Sequence, residues 1–298
     1  MGEAHHNPAA ASAAAGLRRY AELLDRALPP APRFDPSTEA GGHVQVERGL
    51  VYAAALRDPR QAHLFDPPPP DASRVVVDRL GHRRPAYRGL LTYAWVQALR
   101  LGHETLTRPA LGRWEEAVRP WCESAEADAV AVDVTAAPAA KGGPVAAAAW
   151  AALALHAAGQ HFARDAWQTL AADTFARLAR GQQASGAFLV AARSDNPEPW
   201  WYHELVLLHA VGSYGAHADD AAASAAAARA AEFHQNETQP DHASAQPWGL
   251  FPMIRNPLTR PLADQILHAA TTQHPAGLEG VSLMLAADAL YCLRLFLD

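Results

Sequence analysis

The sequence predicts an all-α protein, an α/α toroid of about five helical hairpins, with an open α-solenoid as the alternative arrangement. Three observations carry that reading. A tripeptide recurs as Leu155-His156-Ala157, Leu208-His209-Ala210 and Leu267-His268-Ala269, at intervals of 53 and 59 residues. Leu99-x-Leu101 precedes Leu153-x-Leu155 by 54, and Gln182 precedes Gln235 by 53, a period that suits a repeated pair of helices. The second observation is punctuation: Gly142-Gly143-Pro144, Pro197-x-Pro199 and the run from Pro257 to Pro261 precede apolar stretches, and Gly102, Gly159 and Gly212 close them. The third is an alternation of character. Stretches such as WWYHELVLLHAV are apolar nearly all round, as an inner helix must be, whereas FARDAWQTLAADTFARLAR carries charge on one side, as an outer helix does.

In chain order, helices are expected over 12–28 and 42–58, forming one pair, followed by a linker over 59–85 that contains Pro67 to Pro70. Within that linker Val75-Val76-Val77 has the character of a short strand. Four further pairs join 86–102 with 108–124, 143–158 with 162–181, 199–213 with 217–235, and 260–272 with 278–297. The domain division is therefore 1–85, the N-terminal helices and linker, and 86–298, the repeated hairpins, read as one continuous toroid with the N-terminal pair. Turns within pairs are short. The connections between pairs, 125–142, 182–198 and 236–259, are long, and in a toroid they lie on one face, where long loops on a rigid scaffold carry sites.

Composition narrows the function classes. The 298 residues are 50% apolar, ample for a large core. A net charge of -6 gives no basic stripe, so nucleic acid is excluded as the expected partner. No run reaches the roughly 18 apolar residues of a membrane span, and the N-terminus lacks a basic leader followed by a long apolar core, so a cytoplasmic protein is expected, with Asn236-Glu237-Thr238 an unused sequon. The two cysteines, Cys122 and Cys292, each in a helical stretch, argue against a disulfide framework and a thiolate zinc knuckle.

The run Leu178-x-x-x-Gln182-x-x-x-Gly186-x-Phe188 resembles the glutamine-and-aromatic repeat of the squalene/hopene cyclase and protein prenyltransferase superfamily, with Arg229-Ala230-x-x-Phe233 and Gln239 as a degraded second copy. The resemblance implies an α/α toroid and does not carry the family's chemistry. The DxDD acid of the cyclases is missing, since Ala218-Asp219-Asp220 lacks the first aspartate, and neither cysteine stands in the context of a prenyltransferase zinc ligand.

Candidate site residues gather at the long-loop face. His203 and Glu204 lie early in an inner helix; His209 follows His203 by six residues, roughly 240° round the helix, so the pair is no HExxH metal motif. A buried Glu204 would have the raised pKa of a general acid or base, or would serve the blander task of capping free N–H groups or pairing with an arginine. The segment FHQNETQPDHASAQPW adds His234, Asn236, Glu237, Asp241, His242, Gln246 and Trp248, either as a ligand-binding loop or as a solvated turn. His234, Asp241 and His242 have donor types that suit a divalent metal, the one cofactor the sequence suggests. Trp200, Trp201, Tyr202 and Trp248 would form walls for a ring, and Asp264 begins the next inner helix, with His268 one turn on as a core partner. The repeated His156, His209 and His268 fall near inner-helix C-termini, where a histidine meets the negative end of the dipole.

Two classes of function follow. One is an enzyme with Glu204, His203, Asp241 and His242 as its acid/base or metal-assisted machinery, acting on a polar, ring-bearing small molecule or a glycan. The other is a noncatalytic toroid scaffold or binding module; a terpenoid cyclase or prenyltransferase-like enzyme lacking the DxDD acid is a third alternative.

Overall fold

The computed structural model describes residues 8–28, 55–56, 58–59, 86–130, 142–190, 198–237, 246–273, 278 and 280–297. Among them every regular element is helical. The helices are α1 (Pro8–Ala27), α2 (Ala86–Gly102), α3 (Arg108–Val130), α4 (Gly142–Phe162), α5 (Asp165–Gly181), α6 (Glu198–His217), α7 (Ala221–Glu237), α8 (Leu250–Arg255), α9 (Arg260–Gln273) and α10 (Gly280–Leu297), with a 3₁₀ turn over Pro257–Thr259. No helix among the described residues is long and apolar enough to cross a membrane. Most of the expected helix over 42–58, the linker and the Val75–Val77 strand lie outside the described residues.

The core is built by helices that are buried nearly all round. Helix α4 packs against α2, α3, α5 and α6, and α6 in turn against α7, α8 and α10. Alanine makes this density possible: it is the best helix former, and its single methyl lets helix axes approach closely. At the crossing of α2 and α4 even alanine is too large, because a Cβ on Gly89 would stand 2.7 Å from the backbone of Trp150 and Ala151. Trp150, fully buried, fills the space around which the small residues close.

Two expectations need correction. Helix α3 continues to Val130 rather than stopping at 124, because Ala125 and Ala129 extend the buried stripe of Trp114, Val118, Trp121 and Cys122 through the acidic run. The last two helices also depart from the expected hairpin: α10 packs against α1, α6 and α8, α9 packs against α8, and their burial is reversed. Helix α10 is the buried member, whereas α9 buries only Leu262, Ala263, Ile266, Leu267 and Ala270, and it exposes Asp264 and His268. The all-round apolar sequence of α10, GVSLMLAADALYCLRLFL, has the inner-helix character; the order of elements alone had assigned that place to α9. The sequence reading also missed α8, whose six residues are too short to show a period.

The segment after α5 is a strap across two other helices. Gln182 donates from Nε2 to the carbonyls of Gly186 at 2.7 Å and Ala226 at 2.8 Å, while its Oε1 accepts from Arg229. Gly186 has φ +96, and a Cβ there would come within 2.5 Å of the Arg229 carbonyl oxygen. Ala187, Phe188 and Leu189 are buried beyond it. The Gln-x-x-x-Gly-x-Phe run thus ties the end of α5 to α7 and, through Phe188 and Leu189, to α6.

Gly186→Ala is expected to destabilise the protein by about 1–3 kcal/mol, since both the left-handed backbone and the Arg229 contact exclude a methyl. Gly181→Ala, where the added Cβ meets nothing within 4 Å, is expected to be neutral or to stabilise by up to about 1 kcal/mol. Denaturant unfolding of the two variants side by side checks the contrast.

Candidate functional site

Helix α6 carries polar side chains at both ends, and the two ends differ. At its start, Trp200, Trp201 and His203 are half-buried, Tyr202 is buried, and Glu204 is fully sequestered. The His203 ring lies over Gly142 and Gly143 at the head of α4. Glu204 accepts hydrogen bonds from the backbone N–H groups of Phe188 at 2.9 Å and Leu189 at 2.5 Å. Burial pushes its carboxyl up to about 7, against the pull of those two donors. Both oxygens thereby hold the strap.

The other candidates divide. His234 sits inside α7, fully buried, with its ring hydrogen-bonded to the Glu204 backbone; burial lowers its pKa to about 3. Trp248 is also fully buried, its ring meeting Trp150, Tyr202 and His209 edge-on at 5.9, 6.0 and 5.8 Å. Gln246 accepts from the Trp248 indole N–H at 3.1 Å. The structure therefore brings Tyr202, Gln246 and Trp248 together and sets His234 against the Glu204 backbone, with Tyr202, Glu204, His234 and Trp248 buried in the core rather than around an open pocket. Asn236 and Glu237 are exposed at the end of α7. Asp264 is exposed on α9 beside Tyr20 of α1, whose hydroxyl is pushed up to about 12 by burial and then by Asp264. Asp241 and His242 lie outside the described residues.

Toward the other end of α6 the helices share a polar centre that sequence reasoning missed. Asp288 of α10, 1% exposed, accepts from Tyr93 of α2 through Oδ1 at 2.6 Å, and from Ser213 and His209 of α6 through Oδ2 at 2.5 and 3.1 Å. The N–H of Gly249 donates to His209 Nδ1 at 3.1 Å, which leaves the ring proton on Nε2, facing the carboxylate. Both nitrogens of His209 are thus engaged, so the His209 ring presents neither a lone pair nor a proton to open space. Tyr93 also accepts from Gln97 at 2.8 Å and contacts His217 Nε2 at 2.7 Å. Burial alone would raise the Asp288 carboxyl, but hydrogen bonds and charge interactions with His209 and His217 hold it well below its ordinary range. The repeated histidines do not converge: His156 meets Tyr214 edge-on with its pKa lowered to about 4, chiefly by burial, and His268 is exposed. The available signal was the i, i+4 spacing of polar residues within apolar helices, Tyr93 with Gln97, His209 with Ser213 and His217, and Asp288 with Cys292.

Above this centre opens a cleft of about 810 Å³ between the end of α6, the start of α7, α8 and the end of α10. Its lining is mostly small or apolar, including Gly215, Ala225, Ala228, Pro252 and Phe296, and the His217 ring forms part of the floor. Arg255 is the cation in it. Its Nη1 donates to Ser224 Oγ at 3.0 Å and its guanidinium lies 4.2 Å over the Phe296 ring. Burial lowers its pKa, with Asp219 opposing, and no carboxylate among the described residues stands within ion-pair distance of it. Comparison of the chain with protein-family models, curated proteins and solved structures finds no match.

Glu204 sets a pH dependence of known sign. A folded pKa of about 7 against an ordinary 4.5 means that its stabilising contribution is complete below pH 4.5 and is lost as pH rises through 7, a change of about 3 kcal/mol. The buried, neutral His156 and His234 act in the opposite direction below pH 6.5. The stability difference between wild type and Glu204→Gln, measured by denaturant unfolding from pH 4.5 to 8, is therefore expected to shift steadily against the wild type as pH rises. A difference that stays constant would show that Glu204 titrates normally.

Proposed function

We propose that this chain is a small-molecule-binding helical protein whose ligand site is the cleft between α6, α7, α8 and α10, in preference to an acid–base enzyme built on Glu204. The observation that supports the reading most is Arg255, a guanidinium half-buried in a mostly apolar cleft of about 810 Å³ that also holds His217, Asp219, Ser224 and Asn256, a size within the range that small-molecule sites occupy. An arginine held flat by a ring beneath it and a hydroxyl beside it is pre-oriented for a carboxylate or similar planar anion. The expected ligand thus has an anionic head and a ring or other apolar body, which keeps the polar, ring-bearing class the sequence suggested. The α/α toroid remains the scaffold of this proposal. Buried helices α2, α4 and α6, each packed against its one-sided neighbour α3, α5 or α7, support a ring of hairpins. A cytoplasmic setting accords with two buried free cysteines.

A second reading, an enzyme or glycan site at the start of α6, is favoured by one observation. Trp200 and Trp201 are half-buried side by side there, next to His203.

Isothermal titration with 2-naphthoate and with neutral 2-naphthamide separates the two readings. Naphthoate is expected to bind, and Arg255→Gln to weaken it by roughly 10–100-fold, the loss of one charge-assisted pair, while leaving naphthamide unchanged. Naphthoate binding that ignores Arg255→Gln but fails in Trp200→Ala would place the site at the other end.

A further inference from the structure

We propose that His217, Asp288 and Cys292 form a binding site for a divalent transition metal, of which Zn²⁺ best suits the donors, beneath the floor of the cleft. The His217 nitrogen, an Asp288 oxygen and the Cys292 sulfur all lie within 4.8 Å of one another. The His217 and Asp288 side chains are 3% and 1% exposed, and Cys292 is 0% exposed. The set mixes imidazole, carboxylate and thiol. That selects zinc and its neighbours over magnesium or calcium, which take oxygen alone.

The register is that of a ligand pair. Asp288 and Cys292 are i and i+4 on α10, the spacing that puts two side chains on one helix face, one turn apart. His217 faces them from the last turn of α6, its Nε2 3.8 Å from Asp288 Oδ1. Tetrahedral bonds of roughly 2.0–2.3 Å give ligand separations of about 3.3–3.8 Å. The His217–Asp288 separation already meets that, and the widest pair must close by roughly 1 Å, within reach of side-chain rotation.

The surroundings supply what ligands need behind them. His209 and Ser213 hold Asp288 Oδ2 from the far side, so Oδ1 is presented toward His217. His209 is fixed in turn by the Gly249 N–H. The Tyr93 hydroxyl, 2.6 Å from Asp288 Oδ1 and 2.7 Å from His217 Nε2, stands beside both ligands and provides the oxygen for a fourth position. Entry is from the cleft, whose floor His217 forms. On binding, the Cys292 S–H bond breaks, the sulfur–metal bond forms, and the proton leaves with the displaced solvent. The proposal does not depend on what ligand the cleft takes.

Cobalt titration of the full-length protein after dialysis against a chelator tests it. One equivalent of Co²⁺ is expected to produce intense visible ligand-field bands of a tetrahedral ion together with a near-ultraviolet thiolate-to-cobalt charge-transfer band, and Zn²⁺ is expected to abolish both. Cys292→Ser should remove the charge-transfer band, His217→Gln at the cleft floor should weaken Co²⁺ binding at least tenfold, and Cys122→Ser should change neither. The absence of saturable bands from wild type at millimolar Co²⁺ would overturn the proposal whether or not the Cys292 variant folds. So would bands that depend on Cys122.

Discussion

A carboxylate fully enclosed in an apolar helical core is the constraint on which the rest of this structure depends. Asp288 cannot be left unsolvated, and the groups that satisfy it come from two other helices: Tyr93 from α2, and His209 and Ser213 from α6. Removing the acceptor from such an arrangement leaves three buried donors facing one another, a loss on the scale of about 3–5 kcal/mol. Alanine-rich helices pack closely but with few shape features to fix their register. A shared, directional acceptor supplies that register, because sliding α10 by one turn would break all of its hydrogen bonds at once.

The two ends of α6 divide the polar groups between fastening and presentation. Glu204 fastens the strap that follows α5, and the His209–Asp288 pair fastens α10. Neither Glu204 nor the His209 ring has a spare atom turned toward open space among the described residues. Arg255, His217 and the alanine face of α7, by contrast, border the cleft. The physical difference is hydrogen-bonding capacity left unused at the edge of the cleft. A charged group at least half-buried and already fully hydrogen-bonded contributes to the fold, while one that keeps donor capacity at the edge of an open volume is available to a ligand.

Helix content was legible from the sequence because a period of 3.6, proline at helix starts and glycine at ends are local signals. The boundary of α3 and the reversal of α9 and α10 were harder, since both turn on which face the tertiary structure buries. The inner character of α10 was nonetheless written in its all-round apolar sequence. Of the candidate site, Glu204 and His203 were correctly placed at the start of a buried helix, and Trp248 near Tyr202. What could not be read was the partner of each: no local pattern reveals that Glu204 meets backbone N–H groups from residues 188 and 189, or that Trp248 turns inward. Asp288 escaped notice because a lone acid in GVSLMLAADALYCLRLFL has no neighbour in sequence to explain it. Its partners lie 75 to 195 residues away, and the clue was the matching i, i+4 polar spacing on the helices it joins.

Native-state hydrogen exchange of Asp288→Asn against wild type tests most directly whether this carboxylate holds the inner helices together. Slowly exchanging amides of α2, α6 and α10 are expected to lose protection together, by a common factor, while those of α3 and α5 change little. Loss confined to α10, or uniform loss across every helix, would contradict the account and reduce Asp288 to a locally satisfied core residue.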